Sequence, residues 1–190
     1  NTELSIQPKP TLAQMQETAH ALSQSSLAPS AYKNKPEDLL VALMHGDSVG
    51  LSPAQSMQSV NVIQGRPSLS AECVVALCRS SPHFEDLYEN ITDDGTDEAV
   101  AIAIAYRKGC SPVTVRFSVD DAKRAGLWGR GAWRNYPFHM LKVRARTTAL
   151  KTMFADVLAG VASPVVPEST AANRPEIIIT MEAPTFDKAK

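Results

Sequence analysis

Residues 137–158 read PFHMLKVRARTTALKTMFADVL. Pro137 suits the first position of a helix, where the N–H it lacks would have no partner anyway. Met140, Val143, Thr147, Leu150, Phe154 and Val157 then recur three and four residues apart, which predicts one long helix over about 137–158 with a single buried stripe. At about 100° per residue, Arg144 and Lys151 fall on one flank of that stripe, and Lys142 with Arg146 on the other. Cationic side chains so placed can lay their stems along apolar surface while their heads reach outward.

The helix needs a partner surface, and the preceding residues supply one. Residues 84–91 and 98–106 flank an acidic turn at 92–97, and Val100, Ile102 and Ile104 alternate with alanines as in a strand. Residues 112–117 give a third strand, with Val113, Val115 and Phe117 on one face. Further upstream, Pro36 followed by Glu37 and Asp38 opens a helix expected to stop near Gly46, and Ser52-Pro53 opens a short one through about Ser59. A small hairpin follows over 60–69, turned at Gly65, and Ser70 then caps a helix that buries Val74, Val75, Leu77 and Cys78. The fold class is α+β: a small antiparallel meander and a hairpin packed with helices, closed by a long basic core helix. Residues 1–35 read as a flexible arm with one short helix, 36–160 as the core domain, and 161–190 as a tail in which Ile177 to Ile179 is the one strand-like run.

The charge is unevenly placed. From Arg107 to Lys151 there are eleven basic residues against two acidic ones, a balance of +9, which leaves eight basic against eighteen acidic elsewhere, or −10. A polyanion would be drawn to one face of such a molecule and repelled from the rest. A solvated, charge-laced surface is the plainer alternative. Three neighbouring features favour a polyanion: two tryptophans, a glycine-rich approach, and the basic rows of the helix. In that approach, GLWGRGAWRNYP at 126–137, aromatic rings stand beside Arg130 and Arg134. Such rings suit either stacking on unpaired bases or a place in the core.

Other chemistry finds little support. Cys73, Cys78 and Cys110 include no CxxC pair, so they read as reduced thiols. The acidic run at 93–98 does not follow calcium-loop spacing, the four histidines are scattered, and no nucleophile triad or phosphate loop occurs. With no long apolar window and no charged-then-apolar start, a cytoplasmic protein without cofactor or metal is expected.

Several motifs together resemble the phage single-strand annealing proteins of the RecT and Redβ type. These are Ala122-Lys123-Arg124-Ala125-Gly126-Leu127-Trp128, Gly131-Ala132-Trp133, Pro137, Met140-Leu141, Arg144-Ala145 and Phe154-Ala155-Asp156-Val157-Leu158-Ala159-Gly160. Gly50-Leu51-Ser52-Pro53 and Gly65-Arg66-Pro67 fit the opening of the same domain, so the resemblance spans about residues 36–160. It implies a protein that binds single-stranded DNA and pairs complementary strands into an annealed duplex without ATP or covalent catalysis. It also implies assembly into rings or helical filaments, a phage 5'-3' exonuclease as partner, and contact with a host single-strand binding protein. Arg144 and Lys151 match DNA-contacting positions of that family, and Lys142 matches another basic one. Phe138 and His139 depart from it, standing where Redβ is basic, and residues 54–59 look helical where Redβ is extended.

The candidate DNA-binding residues are therefore Arg66, Lys123, Arg124, Arg130, Trp133, Arg134, Lys142, Arg144, Arg146 and Lys151. A phage scaffold or adaptor acting through protein contacts is the alternative from another class, and a nuclease a third.

Overall fold

Gln14 and Gln55 each reach back to the residue three positions earlier, and those two capping boxes fix where the first and third helices begin. The computed structural model describes residues 9–63 and 65–159 in full, and the backbone of 176–179. It divides into two compact units, residues 1–70 and 71–190.

In the first unit, Thr11 caps α1 (Leu12–Ser23), its hydroxyl accepting from Gln14 N while Thr11 N donates to Gln14 Oε1 at 2.8 Å. The expected loose arm is thus partly structured: α1 packs on α2 (Pro36–Ser48), burying Ala19 and Ser23 but leaving Leu12 57% exposed. Ser52 caps α3 (Pro53–Ser59) in the same way as Thr11 caps α1. The hairpin strands β1 (Val60–Ile63) and β2 (Arg66–Leu69) pair antiparallel, Val60 with Leu69 and Ile63 with Arg66, around Gly65 at φ +76°. Tyr32 is buried and donates its hydroxyl proton to Val60 O at 2.7 Å, which ties the hairpin to the segment before α2.

The α2 helix does not stop at Gly46. It runs to Ser48, and Gly50, at φ +78°, takes the left-handed position beyond its end. Gly46 has a different purpose: a Cβ there would lie 1.9 Å from Ser56 Oγ, so the missing side chain lets α3 press against α2.

The second unit opens with α4 (Ala71–Ser80), followed by β3 (Phe84–Thr92), β4 (Val100–Arg107) and β5 (Val113–Ser118) in an antiparallel meander. Two short helices, α5 (Val119–Arg124) and α6 (Ala132–Asn135), lead into α7 (Pro137–Met153). The Ile-rich run of the tail forms β6 (Glu176–Ile179), which pairs antiparallel with β5 and makes the sheet four-stranded. The rest of the expected tail lies outside the described residues.

α7 lies across the sheet on β4 and β5, with α4 packed against it. The register places Ala101 beside Phe117, Ala103 beside Val115 and Ala105 beside Val113, all six buried. Of the predicted stripe, Thr147, Leu150 and Phe154 are buried and Met140, Val143 and Val157 remain partly exposed, while Leu141, Ala145, Thr148 and Ala149 are buried beside it. Small residues on both surfaces allow a close approach, so Ala145 and Ala149 belong to the buried face along with Leu141 and Leu150. The helix also ends at Met153, short of the predicted 158, with Phe154 and Leu158 buried in the turns that follow. Burying each large apolar side chain, such as Phe117, Leu141 or Phe154, contributes roughly 1.5–3 kcal/mol. Among the described residues, no helix is long and apolar enough to cross a membrane.

Gly46→Ala tests the packing of α2 on α3. Helix propensity favours alanine by about 1 kcal/mol, but overpacking typically costs about 1–3 kcal/mol. Chemical denaturation is expected to show a net loss, and adding Ser56→Gly should shrink the loss caused by the alanine.

Candidate nucleic-acid interface

Ser118 ends β5 and caps α5: its backbone N donates to Asp121 Oδ2 at 2.8 Å, and Asp121 N donates to Ser118 Oγ at 3.1 Å. Asp121 also pairs with Arg124, and Lys123 pairs with Asp97 from the acidic turn at 3.5 Å. Lys123 and Arg124 are exposed but have carboxylate partners.

The chain then turns through Gly126, Gly129 and Gly131. Gly131 precedes α6 at φ +50° and ψ −129°, a backbone shape a side chain would resist. This turn separates the two tryptophans. Trp128 is half-buried and meets Phe138 edge-on at 6.1 Å. Trp133, 9% exposed, lies against Phe117 with ring centroids 6.1 Å apart. Of the two fates open to Trp133 in the sequence, the core is the one it takes, and its ring offers too little free surface for a base to stack on. Arg130 and Arg134, on either side of it, are exposed.

Phe117 has a second neighbour. The Arg144 guanidinium lies 5.7 Å from its ring centroid, so Trp133, Phe117 and Arg144 form a continuous contact from α6 through β5 to α7. Arg144 is therefore not reaching outward past a core stripe. It is recessed, its Nε is buried without a hydrogen-bond partner, and burial lowers its pKa to about 10. Lys151, two turns further along the same row, is lowered to about 8 by burial and by the charge of Arg144. On net, the folded chain disfavours the positive charge of this lysine.

The other flank behaves differently. Arg146 reaches toward β3, where Glu89 stands 3.5 Å away, and its Nε is buried without a hydrogen-bond partner. Lys142, also on that flank, is half-buried. The structure thus seats Arg144 on Phe117, sets Lys151 within reach of its charge and leaves Arg146 engaged by a carboxylate. Arg66 is exposed on β2 in the first unit. Among the described residues, no group of three or more His, Cys, Asp and Glu is arranged to hold a metal ion.

Sequence reasoning missed Phe117 as the seat of Arg144. Its alternation with Val113 and Val115 marked the strand face that a helix must cover, and a basic residue at that helix's flank had to meet it. It also missed Arg107, whose guanidinium forms a two-pronged pair with Asp156, Nη1 to Oδ1 at 2.6 Å and Nη2 to Oδ2 at 2.8 Å. That hydrogen bond lowers the Asp156 pKa to about 2.

Trp133→Ala should behave as a core lesion, costing about 3–5 kcal/mol in chemical denaturation, whereas Arg134→Ala should leave stability within about 0.5 kcal/mol of the parent. An unchanged melting curve for Trp133→Ala would return the ring to the list of surface groups. Compared with known proteins, the chain matches no family model and no curated protein sequence.

Proposed function

We propose that this protein binds single-stranded DNA along α7 and its glycine-rich lead-in, and anneals complementary strands without ATP and without a covalent step. The observation that carries the reading is the Arg144 and Lys151 pair. Arg144 is wedged against Phe117 with its Nε buried and unpartnered, its charge bears on Lys151 along the same helix, and burial pulls down the pKa of both, a local cost to the folded chain. An anion that approached them would offset that cost, and a phosphate backbone presents anionic oxygens at regular intervals. Arg130 and Arg134 are exposed and can extend the contact along a strand. The resemblance of residues 36–160 to the RecT and Redβ type supports the same class.

Contacts to phosphate hold a strand without reading its sequence, so affinity should fall steeply with salt. Two strands held near each other lose less entropy on pairing, and Watson–Crick bonding tests complementarity. Homo-oligomers, a phage exonuclease and a host single-strand binding protein are the partners this function would use.

The deciding experiment mixes complementary oligonucleotides with purified protein, without ATP, and follows both duplex formation and strand length. Accelerated duplex formation with intact strands is expected. Shortened strands in magnesium would indicate a nuclease, and absent annealing with weak salt dependence would leave the adaptor reading.

Two variants separate binding from folding. Arg144→Ala with Lys151→Ala should weaken single-strand binding at least about tenfold, since charge-assisted contacts are worth about 1.5–3 kcal/mol each. Lys151→Met should weaken binding yet raise thermal stability at pH 7, because a base whose folded pKa is depressed costs stability below that pKa and regains it as pH rises from about 8 toward 10.5. By the same linkage, a bound anion raises the Lys151 pKa. Binding at fixed ionic strength should therefore weaken as pH rises from about 7 to 9.5, and this dependence should flatten in Lys151→Met.

A further inference from the structure

Arg107 is the last residue of β4, and its side chain holds the end of α7 at several points. A helix leaves its last four carbonyls without intrahelical partners. One of these, Met153 O, accepts from Arg107 Nη1 at 3.0 Å, while both terminal nitrogens hold the Asp156 carboxylate. Between those contacts the guanidinium lies 5.3 Å from the ring centroid of Phe154, which is fully buried and 5.9 Å from Phe84. The Arg107 side chain is 18% exposed, and its positive charge sits at the helix end where the dipole favours it.

We infer that Arg107 is a positioning residue for the proposed single-strand site: it pins the last turn of α7 so that Lys151 stays recessed beside Arg144. The inference rests on reading Arg144 and Lys151 as phosphate ligands. Its physical basis is that the last turn of a helix is the part that frays most readily, and here that turn carries a cation repelled by another on the same row. Fraying would let Lys151 reach water and relieve the repulsion. A lysine in place of Arg107 could not reproduce the clamp, because two parallel bonds to a carboxylate together with one to a carbonyl need a planar fork of donors.

Other charges near α7 do not substitute for the clamp. On the sheet face it covers, Glu89 of β3 is engaged by Arg146, and Arg107 itself by Asp156. From α4 come the buried Cys73 and Cys78, and burial pushes the Cys78 thiol up to about 12, so it is neutral. Arg134 of α6 is exposed, and the charge of Arg144 lowers the Lys151 pKa.

The test uses the full chain with Arg107→Lys, Arg107→Ala and Asp156→Asn. Trace acetylation read by peptide mass spectrometry, without DNA, gives the pH midpoint of Lys151 reactivity. A labelled single-stranded oligo-dT gives affinity, and Ile104→Val serves as a core control. The expected result is a Lys151 midpoint at least one pH unit higher in the Arg107 variants, toward that of an ordinary lysine, with oligo-dT binding weakened about tenfold. Ile104→Val should lower the melting temperature without moving the midpoint. If Arg107→Ala does not fold, Arg107→Lys and Asp156→Asn decide. A folded variant whose Lys151 midpoint and oligo-dT affinity equal the parent's overturns the inference. A parent protein that ignores oligo-dT overturns the function itself, and the acetylation midpoint, which needs no DNA, tells the two failures apart.

Discussion

The close seat of α7 on the alanine row of β4 is the constraint on which the second unit depends. Ala101, Ala103 and Ala105 on the strand, with Ala145 and Ala149 on the helix, are all buried. A sheet face lined with leucine would hold the helix further off and leave room at its flanks. With alanines there, side chains at the edge of the contact are wedged rather than free. Arg144 lands on Phe117 for this reason, and Trp133 fixes Phe117 from the other side. Core packing and the recessed charge have one geometric cause.

The basic excess read from the sequence is distributed less evenly than its total implies. Arg107, Lys123, Arg124 and Arg146 each face a carboxylate of the same unit: Asp156, Asp97, Asp121 and Glu89. Pairs at an exposed surface contribute little to stability, typically about 0–1 kcal/mol, and they lower the field available to a polyanion. Recessed cations act differently. Water screens Arg144 and Lys151 poorly, so each responds more strongly to a nearby anion than a fully exposed cation would.

Local chemistry made much of the fold legible. Pro36, Ser52-Pro53 and Pro137 mark helix starts within a residue of where they fall, and Gly65 lies in the turn of the expected hairpin. Each signal acts over three or four residues and owes nothing to the rest of the chain. The misreadings are tertiary. Gly46 looks like a stop signal but is a contact with Ser56, ten residues on. The face of α7 is legible only in part from its own residues: Thr147, Leu150 and Phe154 of the expected stripe are buried, but alanine weighs little on a wheel, so Ala145 and Ala149 do not read as part of the buried face. α5 and α6, at 6 and 4 residues, are too short to show a period, and neither is expected from the sequence.

Arg107 and Asp156 show the same limit at longer range, being 49 residues apart in sequence and bonded in space. An arginine at the end of a strand and an aspartate just past a helix each look like ordinary surface charge. Their pairing matters because of what lies between the recessed site and the helix end: one turn of α7. A helix that carries a repelled cation in its final turn needs either a longer continuation or an external clamp. This chain ends the helix at Met153 and supplies the clamp from the neighbouring strand. The aspartate is then explained as the group that keeps the guanidinium oriented toward Met153 O, and the buried Phe154 between them as the anchor that prevents the whole turn from swinging away.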